Sequence, residues 1–189
     1  MIPEVELVTA RLRLRPWQEA DREPFAQLNA DPTVMRHFPA LMTREQSDAM
    51  VDRIREHFAS YGYGFWAVSL SSGSPCMGMV GLRHVQFDAH FTPCMEVGWR
   101  LAAEHWGQGF ATEAAQAALD FAFGALQQKE VVAFTVPANQ ASRRVMEKLG
   151  MTHSPTDNFE HPALPEGHPL RGHVLYRMPR AVWEANSAG

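Results

Sequence analysis

The sequence predicts a mixed α/β (α+β) fold, a sheet carrying helices on its faces, and three observations predict it. Apolar–polar alternation occurs near both ends of the 189-residue chain, in "LVTARLRLRPW" and "HVLYRMP". Two segments combine helical spacing of apolar residues with capping residues at their starts. An unbroken apolar run, "VVAFTV" at 131–136, reads as an inner strand buried on both faces. The order along the chain is β-α-α-β-β-β-α-β-α-loop-β. No repeat or linker interrupts it, so residues 1–189 are expected to form a single domain.

In "LVTARLRLRPW", Leu12 and Leu14 face one way and Arg11, Arg13 and Arg15 the other: one half-buried strand, stopped by Pro16. "QEADREPFAQLNADP" follows as a short helix, with Pro24 tolerated in its first turn. Thr43 and Gln46 form a capping box for a helix whose apolar side is Met50, Val51, Ile54 and Phe58, ended by Gly62 and Gly64. Three strands come next, "GFWAVSL", "CMGMVGLRHV" and "PCMEVGWRL", the first two joined by the turn "SSGSP". "TEAAQAALDFAFGAL" is a helix with Ala114, Ala115, Ala118, Leu119 and Ala122 on its buried side. After the inner strand, "NQASRRVMEKLG" forms a helix that Asn139 can cap and Gly150 can end. Residues 152–172, rich in Pro, His and Gly, read as a long loop. "HVLYRMP" is a final strand and "RAVWEA" a short terminal turn.

Composition removes several function classes. With 46% hydrophobic and 20% charged residues and a net charge of −4, the chain has no basic face to track a nucleic-acid backbone. Its arginine clusters are balanced by nearby acids and read as solvated surface. No stretch approaches a spanning helix, and "MIPEVELVTARLRLRPW" lacks the features of a signal peptide. Cys76 and Cys94 stand in no metal or redox spacing and read as free thiols, so a cytoplasmic protein is expected.

The sharpest local signal is "EHWGQGFATEAA", with Gly107 and Gly109 just before a helix. A phosphate-cradling P-loop needs a lysine after its glycines, and none is there. A dinucleotide-binding turn needs a third glycine where Thr112 stands, and a ribose-binding acid at a strand end, whereas Glu130 begins one. Two readings stay open: a plain tight turn, or a nest of amides at a helix N-terminus suited to a diphosphate. Gly109 and Ala111 lack bulk and Thr112 offers a hydroxyl. Glu113 is unfavourable for an anion although favourable for the helix dipole.

"WGQGFATEA", then a strand, then "NQASRRVMEKLGM" together resemble the GNAT superfamily of acyl-CoA N-acetyltransferases. Within it, the likeness is to the branch containing ribosomal-protein N-terminal acetyltransferases, and it extends from "TARLRLRPW" to "HVLYRM". The resemblance implies a mostly antiparallel, twisted central sheet in which two strands splay apart, with flanking helices. It also implies acetyl-CoA as acetyl donor and no metal. The amides of Gln108, Gly109, Phe110, Ala111 and Thr112, entered through Trp106 and Gly107, would grip the coenzyme A pyrophosphate. Trp106 stands where the family usually has Arg or Gln. Main-chain groups of Trp99, Arg100 and Leu101 would bond the pantetheine arm and polarise the thioester carbonyl. Asn139 would bond the arm from the other side.

Acetyl transfer to an amine needs a base, an oxyanion site and a tolerated thiolate. Glu96 is the base candidate, its pKa raised by apolar neighbours; its ordinary alternative is a salt-bridged strand glutamate. Met146 stands where many relatives carry a tyrosine acid. Ser142 therefore becomes the group that hydrogen-bonds the leaving sulfur, with Tyr176 as second candidate or simply core. His153, His161, His168 and His173 match no zinc spacing; one of them could line the acceptor site, as could Trp66. The resulting expectation is direct attack, in a ternary complex, by a peptide N-terminal or small-molecule amine. The alternative is a non-catalytic acyl-CoA-binding module on the same fold. Neither nucleic acid nor membrane is an expected partner, and monomer and homodimer both stay open.

Overall fold

The computed structural model describes residues 4–187. Where one opening strand is expected, the chain makes a hairpin of β1 (Leu7–Val8) and β2 (Leu12–Arg15). Thr9 sets the reversal: its amide donates to the Leu12 carbonyl at 2.9 Å and its hydroxyl accepts from the Leu12 amide at 3.0 Å. That local side-chain bond competes with continued extension, which period-two alternation alone does not reveal. Leu12 and Leu14 are fully buried. β2 pairs antiparallel with β3 (Phe65–Leu70), and β3 with β4 (Gly78–Val85).

Between β2 and β3 lie α1 (Arg22–Ala30), α2 (Pro32–Met35) and α3 (Arg44–Tyr61). α2 is one turn, capped by the Asp31 carboxylate on the Thr33 amide with Pro32 at its first position. The Thr43–Gln46 capping box is present. The buried side of α3 is Ser47, Val51, Ile54 and Phe58, with Met50 only half-buried. Ser47 can be buried because its hydroxyl accepts from Asn29, whose carbonyl accepts from Arg100 at 2.6 Å.

After β4 come β5 (Cys94–Leu101), α4 (Phe110–Gly124) and β6 (Glu130–Thr135), then α5 (Gln140–Lys148). α4 begins two residues earlier than expected, and Ala114, Ala115, Ala118, Leu119 and Ala122 are all fully buried. β5 and β6 run parallel, the helix between them supplying the crossover, and every other described pairing is antiparallel. Their register has two pairs, Met95 with Val131 and Glu96 with Val132, whereas all of β6, from Glu130 to Thr135, pairs on its other edge with β9 (Gly172–Pro179). Asn139 caps α5, and Gly150 takes the left-handed conformation after it, as the sequence suggests.

Two expectations need correcting. Residues 152–172 are not one long loop: β7 (Thr152–His153) and β8 (Phe159–Glu160) both pair with β9. Arg177 on β9 holds the turn between them through Asp157 at 2.9 Å, a contact invisible to local pattern. The terminal residues form a helix, α6 (Arg180–Ser187), whose Trp183 stacks on Phe123 and donates to Asp120. The strand order is β1-β2-β3-β4-β5-β6-β9-β7, with β8 also on β9. The chain forms two compact units, residues up to 82 with 98–118, and 83–97 with those from 119 on. β4, β5 and α4 run through both.

In the first unit β4 passes very close to the end of β5. A Cβ on Gly78, whose φ is +139°, would lie 2.1 Å from the Arg100 carbonyl oxygen and 2.9 Å from the Leu101 Cα. Gly78→Ala is therefore expected to cost about 1–3 kcal/mol of stability. Urea unfolding checks this, and an unchanged midpoint would mean the two backbones do not approach this closely.

Candidate functional site

The glycine stretch that stands out in the sequence is a left-handed double turn. β5 ends in a short 3-10 turn, Ala103–His105, after which Gly107 and Gly109 have φ of +72° and +83°. Any other residue is strained there. No atom lies within 4 Å of a Cβ placed on Gly107, so conformation rather than crowding requires glycine. The first bond of α4 runs from the Glu113 amide to the Gly109 carbonyl at 3.0 Å. The amides of Phe110, Ala111 and Thr112 thus precede the helical ladder and have no acceptor within it. Three N–H groups at the positive end of a 15-residue helix are the donors an anion would need.

Glu113 would spoil such a site, and the structure shows why it does not. Its carboxylate accepts from the Thr9 hydroxyl at 2.6 Å, the Arg11 amide at 2.9 Å and Arg11 Nε at 2.6 Å. Burial alone would push the Glu113 pKa up, but these bonds outweigh it and hold the group ionised below its ordinary value. Arg11 also donates to the Gln108 carbonyl at 3.0 Å, and its guanidinium lies 4.5 Å from the Phe110 ring centroid. Arg11, read from sequence as a solvated strand residue, is a cation seated on the glycine loop. Only its place in an arginine-rich strand hinted at it.

The neighbouring candidates of the first unit divide by what their side chains do. Trp106 donates from its indole to the Leu101 carbonyl at 2.8 Å while 38% of its surface stays exposed. It secures the loop to the end of β5. The Arg100 guanidinium turns toward Asn29 and lies 4.1 Å from the Phe38 ring centroid, which leaves main-chain groups as its contribution to the strand edge. Trp99 is half-buried.

In the second unit Glu96 is 7% exposed, and Arg83 Nε donates to its carboxylate at 2.5 Å. It is both buried and salt-bridged. Burial drives its pKa upward, and the Arg83 charge and hydrogen bond oppose this without reversing it. Asn139 donates to Thr135 at 2.9 Å and to the Ser142 hydroxyl oxygen at 3.0 Å, and its own oxygen accepts from the Ser142 amide. One side chain thus caps α5 and orients the serine. Met146 is buried. Tyr176 is 3% exposed, its hydroxyl donating to Glu147 at 3.0 Å and accepting from Arg143 at 3.2 Å. That hydroxyl is committed to packing and charge pairing on α5.

The four histidines do not gather. His153 stacks on Tyr176, and His168 accepts from the Leu170 amide. His161 and His173 meet at a 5.1 Å centroid distance within a group of phenylalanines that includes Phe87 and Phe91 of "QFDAHFT". Among the described residues no His, Cys, Asp and Glu group is disposed to hold a metal ion. Cys76 and Cys94 are free, and burial pushes their thiols up to about 12 and about 11. No helix of the described chain is long and apolar enough to cross a membrane.

Because the folded chain raises the Glu96 pKa, it holds that proton to higher pH than the unfolded chain does. The stability contributed is complete below the ordinary carboxylate range and is lost as pH rises through the raised value. Unfolding free energies of the parent and Glu96→Gln chains, compared from about pH 4 to about pH 8, should therefore show the parent losing ground as pH rises. A difference that stays constant over that range would remove the perturbed carboxyl.

Comparison with known proteins adds a family to this geometry. Residues 11–152 match the acetyltransferase (GNAT) domain family. The Bacillus subtilis protein YkkB, itself uncharacterized, is 34% identical over 157 residues, covering 82% of this chain and 90% of its own. The FsC-acetyl coenzyme A-N(2)-transacetylase of Aspergillus fumigatus is 32% identical over 184 residues, covering 94% of this chain and 77% of its own. Among solved structures, an acetyltransferase from Agrobacterium tumefaciens superposes with a TM-score of 0.74 at 28% identity, covering 92% of this chain and 94% of its own. A left-handed glycine turn that leaves the first amides of a helix without helical partners is thus carried by a chain that belongs to the GNAT family of acetyl-CoA-dependent N-acyltransferases.

Proposed function

We propose that this chain transfers an acetyl group from acetyl-CoA to a primary amine, a peptide N-terminus or a small molecule, by direct attack in a ternary complex. The observation that carries the reading is the left-handed Gly107–Gly109 turn that leaves the first amides of α4 without helical partners. The amides of Gln108, Gly109, Phe110, Ala111 and Thr112 hold the diphosphate, with Trp106 anchoring the loop. Main-chain groups of Trp99, Arg100 and Leu101 bond the pantetheine arm and the thioester oxygen. Asn139 bonds the arm and presents Ser142 to the sulfur. The name of the Aspergillus relative, an acetyl coenzyme A transacetylase, supports the donor. The sequence likeness to ribosomal-protein N-terminal acetyltransferases supports a peptide amine.

Glu96 takes the proton that the incoming ammonium must lose, directly or through water. A buried carboxyl with a raised pKa is a stronger base than an exposed one, and the Arg83 charge and hydrogen bond favour its ionised form against burial. The freed nitrogen lone pair attacks the thioester carbon, the C–N bond forms and the C–S bond breaks. The second proton of the attacking nitrogen passes to the departing sulfur, with the Ser142 hydroxyl as hydrogen-bonding relay, so that the neutral amide and the free thiol of coenzyme A are the products.

Thiol release with a panel of amines tests this reading. Glu96→Gln should lower kcat by about a hundredfold or more while acetyl-CoA affinity is kept. Acetyl-CoA binding without thiol release for any amine would instead support the non-catalytic binding module. Arg11→Ala should weaken CoA binding about tenfold, because it removes a cation from the loop and leaves the Glu113 charge uncompensated. Removing that charge as well, in Arg11→Ala/Glu113→Gln, should recover part of the loss in calorimetric titration.

A further inference from the structure

The second unit carries an aromatic group that the reaction above does not use. Phe91 and Phe159 are buried with Val132 and Leu175 at its base. Above them Phe87, His161, His173 and Phe134 form a closed circuit, with ring centroids 4.8, 5.1, 5.9 and 6.0 Å apart in turn. Phe159 lies 5.3–6.2 Å from all four. All four rings of the circuit are only half-buried, so they present ring surface outward.

Strand register places this group beside Glu96. Glu96 lies opposite Val132 on β6, and paired residues point to the same sheet face. Phe134, two residues on, shares that face at about 7 Å along the strand. Its β9 partner Leu175 and then His173 continue it. Resting on the acyl-transfer reading above, we propose that this ring surface is the acceptor site, and that it takes a primary monoamine carried on an aromatic ring by a short linker.

Charge decides against other amines. Glu96 on this face is buried and already paired with Arg83, and Glu160 is paired with Arg171, so neither carboxylate is left to gather a polycation. His161 and His173 are both held below the ordinary histidine pKa, mainly by burial, with the charge of the other histidine and of Arg83 adding at His161. Glu160 opposes this weakly at His173. Neutral imidazoles stack on an aryl group and do not repel its ammonium. His173 Nδ1 lies 3.0 Å from the Arg171 carbonyl and donates to it, and His161 Nδ1 accepts from the Ala163 amide, so both rings are fixed in orientation.

The test is calorimetric binding of phenethylamine, butylamine and spermidine to the full chain saturated with CoA, alongside turnover of the same amines. Phenethylamine should bind at least tenfold tighter than butylamine. Phe87→Ala and His161→Ala, both at half-buried positions outside the strands, should each weaken phenethylamine at least fivefold and butylamine much less, while leaving CoA affinity unchanged. Phe134→Leu, which keeps apolar volume, should weaken it without lowering the melting temperature. Equal affinities for phenethylamine and butylamine, tightest binding of spermidine, or full phenethylamine affinity in Phe87→Ala and His161→Ala would each overturn the inference. Turnover of other amines with no phenethylamine binding would do so while leaving acyl transfer intact. Phenethylamine binding lost in the variants, without turnover of any amine, would overturn acyl transfer and leave the ring surface as a binding site.

Discussion

The passage from β5 into α4 depends on a backbone constraint, two left-handed residues spaced one apart. Without φ of +72° and +83° at Gly107 and Gly109 the chain could not reverse within so few residues. α4 would then not begin where its first amides are bare, and the crossover that makes β6 parallel to β5 would start elsewhere. The neutralisation of Glu113 by Thr9 and Arg11 is the complement of that constraint. A helix favours an acid in its first turn, whereas an anion site rejects one, and the ion pair reconciles the two demands.

Glu96 poses the opposite electrostatic problem. A carboxylate buried with a single guanidinium gains Coulombic attraction but loses hydration, and here burial outweighs the partner. Such a group is a poor stabiliser of the fold. That cost is informative, because apolar residues would fill the same position more cheaply, and it gives a physical reason to look for chemistry at this strand.

What the sequence made legible was local. Capping residues Thr43 and Asn139, the helical spacing of Val51, Ile54 and Phe58, and the alternating strands each encode structure within a few residues. The glycine turn and Glu96 were legible for the same reason. Arg11 meets Glu113 across 102 residues of sequence, and no periodic pattern carries such a contact. β7 and β8 are two residues each, too short for alternation to show, and exist only because β9 offers them an edge. The ring surface assembles from four separated segments, so its histidines read as scattered. Met50 lies at the margin of the buried side of α3, and Ser47, buried against Asn29, is polar and leaves no mark in an apolar count.

Trp106 holds a further consequence. Its indole is tied by one hydrogen bond to the Leu101 carbonyl, yet more than a third of its surface meets solvent at the edge of the glycine loop. Trp17 and Trp66, by contrast, are sealed in the interior. The emission of an indole depends on its polarity and contacts, so the chain carries a fluorophore at the rim of the proposed anion site. On the proposed reading, a ligand held by the first amides of α4 changes the surroundings of Trp106 far more than those of the two sealed tryptophans, and occupancy becomes something that can be read by light.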